Sequence, residues 1–403
     1  MTRRIVLFLA VVISLVAPAQ EKPTRVLFIG NSYTYFNNMP EVFATLARAA
    51  RLPVEIHMLA HGGWRLKDHW DKGEARQALH ETRWDYVVLQ EQSTLGMPLF
   101  LDGEPRAGGD PMFRPYAEKF AGEIHGARAI PILFVTWARQ ASPQEQPILN
   151  YFYFTAAKHT SSVVAPVGLA WERVRREQPH VQLFSPDGSH PSPEGSYLAA
   201  CTLFATIFHR NPEDLPARAQ GTGVDPRTGK VEDKIVTLVD LPADIARYLQ
   251  SAAWSTWREL DKKGGYLELP PVTLPGVPEL PTGIPVSAEN LSGRWSGTLR
   301  FFPEAGPVPM MLKIAHDGAN WSGHLEMKFN PKQFPTESFD LGDLQVGERQ
   351  LSFSDPASAA INKEKIEFRA VLVRRGQLRG VAQSTLPGRD APVTVLGTFQ
   401  LRQ

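Results

Sequence analysis

Continuous apolar segments, separated by stretches with helical spacing, dominate residues 24–210 and limit the folds that this chain can adopt. The segments are RVLFIG, VEIHMLA, WDYVVLQ and AIPILFVTW. Between them, apolar residues recur every three or four positions, as at Val42, Leu46 and Ala49. Strands that lack alternation are buried on both faces, and such strands alternate with helices in parallel sheets. The pattern therefore predicts an α/β unit with a parallel sheet covered by helices on both faces.

Further helical patterns and two loop-like stretches complete the predicted α/β unit. Helical patterns lie near 143–158, 168–178 and 193–210, and LPADIARYLQSAAWSTWREL closes the unit near residue 260. Residues 94–116 form a Gly- and Pro-rich stretch after the third strand, which predicts a long substrate loop. Residues 212–231 are rich in proline, glycine and charge, and they are expected to form a surface loop.

A proline-dense stretch predicts a domain boundary. The chain has 403 residues, more than one core usually holds, and residues 270–285 contain six prolines. After it come short segments with period-two alternation, such as GRWSGTLRF and VTVLGTFQL, which favour a small antiparallel β-sandwich or barrel. The predicted organisation is a signal peptide (1–19), a catalytic domain (24–262), a proline-rich linker (263–287) and a C-terminal β domain (288–403).

The N-terminus is typical of an export signal. Arg3 and Arg4 precede the apolar run IVLFLAVVISLV, and APA at 17–19 fits a cleavage site. The run is too short for a comfortable membrane anchor, although an uncleaved anchor is the alternative. The mature protein is therefore expected to be secreted or periplasmic, with no stable membrane span after cleavage of the signal.

Charge and composition exclude several classes of partner and cofactor. The formal net charge is +1, which gives no reason to expect nucleic acid or an anionic membrane as a partner. The single cysteine, Cys201, lies in an apolar stretch and is expected to be packed. The histidines lack a metal-ligand spacing, and no phosphate loop or dinucleotide fingerprint is present. We expect neither a metal nor a cofactor, and the sequence does not indicate the oligomeric state.

Ser32 follows the first apolar segment, in VLFIGNSYTYFNN, and has two interpretations. A serine at this position can be the N-cap of a helix, or a nucleophile exposed by a strand-to-helix turn. A nucleophilic serine needs a general base, a group that orients the base, and donors for the oxyanion.

Asp187 and His190, in FSPDGSHPSPEG, supply the first two of these groups. Asp-x-x-His in a turn lets the carboxylate hold one imidazole nitrogen while the other takes the proton from Ser32. The alternative is an ordinary turn with a surface histidine.

Together, these motifs resemble those of the SGNH, or GDSL-like, hydrolase family. GNSYT at 30–34 resembles the family's first block, and DGSH at 187–190 resembles its DxxH block, with similar order and spacing. The resemblance covers about 24–210. It implies a flavodoxin-like three-layer α/β/α sandwich and a serine esterase with Ser32, Asp187 and His190 as the catalytic residues.

The resemblance also implies an oxyanion hole. Its donors would be the Ser32 N–H, the N–H of Gly63 (or the neighbouring Gly62), and an amide side chain after the third strand. The family's GxND block is absent here, and Gln90-Glu91-Gln92 occupies its place. Gln92 retains an amide donor, with Gln90 as the weaker alternative.

Other residues at this edge have more than one interpretation. Glu91 either orients its neighbours or is a solvated charge. Thr136 and Trp137 end a strand segment, and Trp64 follows Gly63. The tryptophans either stack on a sugar or only pack the loops.

The expected function is hydrolysis of short acyl esters on carbohydrate by an exported enzyme, so the expected partner is a small-molecule or glycan ester. A lipase or thioesterase acting on acyl lipids, and a non-enzymatic carbohydrate-binding protein on the same scaffold, are the alternatives. The C-terminal β domain could bind glycan, mediate oligomerisation or pack on the catalytic unit.

Overall fold

A computed structural model describes residues 22–92, 95, 98–101, 104–107, 110–270, 272, 280–301, 308–328, 337–354, 365–386 and 393–403. The predicted signal peptide and residues 271 and 273–279 of the proline-rich stretch lie outside these residues. No helix among the described residues has the length and apolar character needed to cross a bilayer.

The elements up to residue 261 alternate between strands and helices. The strands are β1 (Thr24–Gly30), β2 (Val54–Ala60), β3 (Tyr86–Leu89), β4 (Pro98–Leu101), β5 (Glu104–Ala107), β6 (Ile130–Phe134), β7 (Val163–Ala165), β8 (Arg218–Val224) and β9 (Val231–Asp240). The helices are α1 (Ser32–Tyr35), α2 (Met39–Ala49), α3 (Leu66–Lys72), α4 (Glu74–Glu81), α5 (Asp110–Gly126), α6 (Gln146–Thr160), α7 (Val167–Glu177), α8 (Pro193–Phe208) and α9 (Ala243–Asp261).

Five of these strands form the predicted parallel sheet, in the order β2-β1-β3-β6-β7. This is the flavodoxin-like order 2-1-3-4-5 when the five strands are counted along the chain. Alternate residues of β1 enter different cores: Val26 and Phe28 pack with α2, α7, α8 and α9, whereas Leu27 and Ile29 pack with α3, α4, α5 and α6. The three-layer prediction is confirmed. All five strands end at one edge of the sheet, which is where ligands bind in such folds.

The predicted surface loop at 212–231 is wrong, because β8 and β9 form an antiparallel hairpin. Its strands contain glycine at positions where the chain packs closely: a methyl group at Gly221 would lie 2.5 Å from Cγ of Glu41. Glycine there serves packing rather than turn formation, so composition alone gave the wrong expectation. The predicted loop at 94–116 is also partly wrong, because β4, β5 and the start of α5 lie within it.

The C-terminal part is antiparallel, as predicted. After the short helix α10 (Ala288–Leu291), the strands are β10 (Gly293–Phe301), β11 (Val308–His316), β12 (Trp321–Met327), β13 (Glu337–Asp340), β14 (Gln345–Val346), β15 (Leu351–Ser354), β16 (Lys365–Arg374), β17 (Gln377–Leu386) and β18 (Val393–Arg402). They form one nine-stranded sheet curled into a half-barrel, in the order β13-β12-β11-β10-β18-β17-β16-β15-β14. Its apolar face is a separate core. The β4–β5 hairpin joins this sheet where Phe100 pairs with Thr394.

Close packing of α7 against the end of β6 predicts a stability effect. A methyl group at Gly168 would lie 2.2 Å from the Thr136 carbonyl oxygen, which is backbone and cannot rotate away. We expect Gly168→Ala to lower the free energy of unfolding by about 1–3 kcal/mol, measured by urea denaturation. Gly122→Ala in α5 is the control, because no atom lies within 4 Å of the added methyl group. A neutral Gly168→Ala would contradict the packing seen here.

Candidate active site

Asn31, and not Ser32, caps the short helix that follows β1. The Asn31 side chain accepts the Tyr33 N–H at 3.1 Å, and its amide donates to the Trp64 carbonyl at 2.9 Å. Asparagine is among the most favourable N-cap residues. The N-cap interpretation of Ser32 is therefore wrong, because Ser32 is the first residue inside the helix.

Ser32, His190 and Asp187 lie in one hydrogen-bonded chain. Ser32 Oγ is 2.9 Å from His190 Nε2, and His190 Nδ1 is 2.5 Å from Asp187 Oδ2. An ionised carboxylate can only accept, so Nδ1 carries a proton. In the neutral imidazole, Nε2 is then the acceptor and faces the serine hydroxyl. Two turns 158 residues apart meet here because both lie at the carboxyl edge of the sheet.

Asp187 is ionised over most of the pH range. Partial burial acts to raise its pKa, but the hydrogen bonds from the His190 ring and from the Ser189 and His190 N–H groups outweigh it. Together they lower the pKa of Asp187 to about 2. The carboxylate thus offers a permanent negative charge to the imidazole.

Aromatic side chains hold the imidazole from two sides. The Phe36 ring stacks on His190 with centroids 4.2 Å apart, and Tyr33 contacts it edge-on at 5.7 Å. The Tyr33 hydroxyl also lies 2.7 Å from Ser189 Oγ. The segment that begins with Ser32 therefore also orients the histidine. Sequence reasoning missed this role of Phe36. The feature of the sequence that could have indicated it is that Phe36 lies four residues after Ser32.

A stack of three rings fixes the turn that carries Asp187 and His190. Trp137 lies between Tyr33 and Trp171, with centroid distances of 4.5 Å and 3.9 Å, and its Nε1–H donates to the Ser189 carbonyl at 3.0 Å. Trp137 is fully buried, as is Thr136. Of the two interpretations of Trp137, packing is therefore correct and sugar stacking is wrong.

The glycine turn after β2 lies beside the Ser32 turn. The His61 N–H donates to the Gly30 carbonyl at 3.2 Å, and the Asn31–Trp64 bond joins the two turns. Gly63 is exposed, has φ of +74°, and has open space where a side chain would be. Within the part of the chain that the structure describes, the N–H groups of Ser32, Gly62 and Gly63 have no protein acceptor. These amides can donate to a ligand, and both glycines remain candidates.

The Gln90 side chain forms its hydrogen bonds within the protein interior. Its Oε1 accepts the Asn31 N–H and the Thr34 hydroxyl, each at 2.9 Å, and its Nε2 donates to the Glu91 carbonyl. The side chain is fully buried. These contacts support the turn that carries Ser32 and disfavour Gln90 as an oxyanion donor. Gln92 is half-buried and follows β3 by three residues.

Glu91 is a buried acid and not a solvated charge. Its carboxylate accepts the Leu66 N–H at 3.1 Å, and its own N–H donates to the Tyr153 hydroxyl at 3.2 Å. Burial raises the pKa of Glu91 to about 7, although hydrogen bonds from the Gln92 and Leu66 N–H groups oppose the shift. Glu91 therefore joins the start of α3 to the strand end that carries Gln92.

His69 is a residue of this region that sequence reasoning missed. Its Nε2 lies 2.8 Å from the Gly30 carbonyl oxygen, and its ring contacts Trp64 edge-on at 4.9 Å. Burial lowers the pKa of His69 to about 4, so the neutral ring donates Nε2–H to that carbonyl. The sequence feature that could have indicated this buried histidine is its position about one turn after Leu66, on the apolar face of α3.

The tip of the β8–β9 hairpin borders the same region. The Tyr35 hydroxyl donates to the Pro226 carbonyl at 3.1 Å. The Arg227 carbonyl oxygen would lie 3.8 Å from a methyl group at Gly62. The turn between β8 and β9, which composition predicted to be part of a surface loop, therefore lies beside the glycine turn that follows β2.

No known family model matches the sequence, and no curated protein matches it significantly. Parts of several solved structures are similar to this chain. A DUF4886 family protein from Bacteroides uniformis is 19% identical over 58% of this chain and 95% of its own, with a TM-score of 0.41. An acetylxylan esterase from Geobacillus stearothermophilus is 14% identical over 46% and 94%, with a TM-score of 0.37. The psychrotrophic esterase EstA from a Pseudoalteromonas species is 10% identical over 46% and 97%, with a TM-score of 0.35.

These TM-scores are all below 0.5, and the identities are below 25%. The similarities therefore carry no conclusion about the site or the activity of this chain.

The buried acid predicts a pH dependence of stability. The pKa of Glu91 is about 7 in the folded protein against an ordinary value of 4.5, so between these pH values the native state keeps a proton that the unfolded chain has released. This group therefore makes stability fall as the pH rises through that window. We expect Glu91→Gln to reduce the difference in Tm between about pH 5 and about pH 8.

Glu81→Gln, which changes an exposed carboxylate on α4, is the matched control and should keep the wild-type difference. Equal pH dependence in Glu91→Gln and wild type would mean that Glu91 is not the buried acid described here.

Proposed function

We propose that this protein is a serine hydrolase that cleaves carboxylic esters through an acyl-enzyme. The observation that carries the proposal is the continuous hydrogen-bonded chain from Ser32 Oγ through His190 to Asp187. Each atom in it has the donor or acceptor character that the chemistry requires.

In the first half-reaction, Ser32 Oγ attacks the ester carbonyl while His190 Nε2 takes its proton. The tetrahedral intermediate collapses, and the imidazolium returns that proton to the departing alcohol. Water then attacks the acyl-Ser32 ester with His190 again as base, which releases the acid and restores the serine. Asp187 stabilises the imidazolium in both halves, and its low pKa keeps it ionised throughout.

The developing oxyanion is expected to accept from the N–H groups of Ser32 and Gly63 and from the Gln92 side-chain amide. Among the residues that the structure describes, no protein group accepts from the two backbone donors, which supports their part of this assignment. Fixed donors of this kind stabilise charge that appears only in the transition state. Gln90 stabilises the turn that carries Ser32 through its hydrogen bonds with Asn31 and Thr34.

The proposed substrates are short acyl esters, acetyl above all, on carbohydrate outside the cytoplasm. The support is the signal-like N-terminus, from which we expect export to a secreted or periplasmic setting, where such esters occur.

The nucleophile is tested by labelling the full chain with a fluorophosphonate, which reacts with activated serines. Wild type should be labelled and Ser32→Ala should not, because the reactive hydroxyl is gone. Ser255→Ala, a half-buried serine on α9, is the matched control and should be labelled like wild type. Persistent labelling of Ser32→Ala, or no labelling of folded wild type, would contradict the mechanism. The second outcome would favour a carbohydrate-binding protein that lacks esterase activity.

The acyl group is tested with a series of p-nitrophenyl esters from acetate to decanoate. We expect kcat/KM to be highest for acetate and to fall with chain length, since longer chains need an apolar channel to bind well. A preference for octanoate or longer esters would instead support a lipase or thioesterase.

A further inference from the structure

A shallow cavity of about 600 Å³, broadly open to solvent, lies on the antiparallel sheet and has no part in the proposed hydrolysis. Its described lining residues are three arginines, two glutamines, a proline and a valine. The lining residues are Pro281, Val373, Arg374, Gln377, Arg379, Gln400 and Arg402.

The register of β17 and β18 explains why these polar groups share one face. Gln377 lies opposite Arg402, and Arg379 lies opposite Gln400, so arginine and glutamine alternate on both strands. The residues between them, such as Leu378 and Leu401, are buried in the core on the other face. Because successive side chains of a strand point to opposite faces of the sheet, these four polar residues all lie on its outer face.

The guanidinium groups of Arg374, Arg379 and Arg402 differ from that of the neighbouring Arg375 in their partners. Among the described residues, no carboxylate forms an ion pair with Arg374, Arg379 or Arg402, whereas the neighbouring Arg375 pairs with Glu289 at 3.1 Å. Arg374 is held in place by a neutral group, because its Nε donates to Gln377 Oε1 at 2.7 Å. Positive charges on one face of a sheet repel each other, and this repulsion destabilises the fold. A bound anion would reduce the repulsion.

The lining restricts which anion fits. Of the described residues that line the cavity, none has an aromatic side chain on which nucleic-acid bases could stack. At these residues β18 pairs with β10 and β17, and β17 pairs with β16 and β18, so an extended peptide finds no free strand edge. Pro281 and Val373, the apolar side chains among the described lining residues, are too few to hold a lipid chain.

We propose that this cavity binds an acidic oligosaccharide through the carboxylates of its hexuronate residues. Arginine offers a planar pair of donors that matches a carboxylate, and glutamine amides both donate to and accept from sugar hydroxyls. The alternation of guanidinium and amide groups matches a polymer in which carboxylates alternate with hydroxyl groups. Arg379 and Arg402 carry the main contacts, with Arg374 beside them.

The test is isothermal titration of the full chain with tetragalacturonate, with neutral xylotetraose and inorganic tripolyphosphate as comparison ligands. We expect tetragalacturonate to bind and xylotetraose not to. The double variant Arg379→Gln/Arg402→Gln should bind at least about tenfold more weakly, because two charge-assisted contacts are lost. Arg375→Gln, which removes a neighbouring arginine that pairs with Glu289 outside the cavity lining, is the control and should bind within about twofold of wild type.

Hydrolysis of p-nitrophenyl acetate should be unchanged in these variants, so failure here is distinguishable from failure of the esterase proposal. Raising NaCl from about 50 mM to about 300 mM should weaken binding to wild type, a result that needs no variant to fold. Equal affinity in the double variant and Arg375→Gln, salt-independent binding, or absence of binding to wild type would overturn the proposal. Tighter binding of tripolyphosphate than of tetragalacturonate would also overturn it, in favour of a phosphate ligand.

Discussion

The buried carboxamide of Gln90 fixes the turn on which the candidate active site depends. One oxygen accepts both the Asn31 N–H and the Thr34 hydroxyl, on either side of Ser32 in the chain. Gln90 directly follows β3 and is fully buried, so this support is attached to the rigid sheet. A serine held in this way loses little freedom when it reacts, and such preorganisation is a large part of what a protein contributes to catalysis.

The second turn is held by packing of aromatic rings. The stack of Tyr33, Trp137 and Trp171 continues from the Ser32 helix into the core, and Trp137 bonds the turn that carries His190. Since Tyr33 also touches His190 and Ser189, the two turns share one set of contacts. The distance between Ser32 and His190 is thus determined by core packing, and large-to-small changes at Trp137 or Trp171 would disturb the site from within the core.

The fold class followed from sequence because it depends on local patterns. Continuous apolar strands predicted the parallel sheet, and alternation predicted the antiparallel one. The candidate triad was found because short motifs carry it, but its support was not, since Phe36, His69 and Gln90 act through contacts between distant segments. The β8–β9 hairpin was missed because glycines such as Gly221 signal close packing there, whereas composition favoured a loop. The burial of Glu91 was equally hidden, because a carboxylate after a strand is usually solvated.

The central claim is that Ser32 and His190 act as one unit, and a double-mutant cycle tests it most directly. The measurement is kcat/KM for p-nitrophenyl acetate in wild type, Ser32→Ala, His190→Ala and the combined variant. A base without its nucleophile, or a nucleophile without its base, contributes almost nothing, so the combined variant should be no slower than either single variant. If the two losses instead multiply, the residues act independently and the hydrogen-bonded chain is not the catalytic unit.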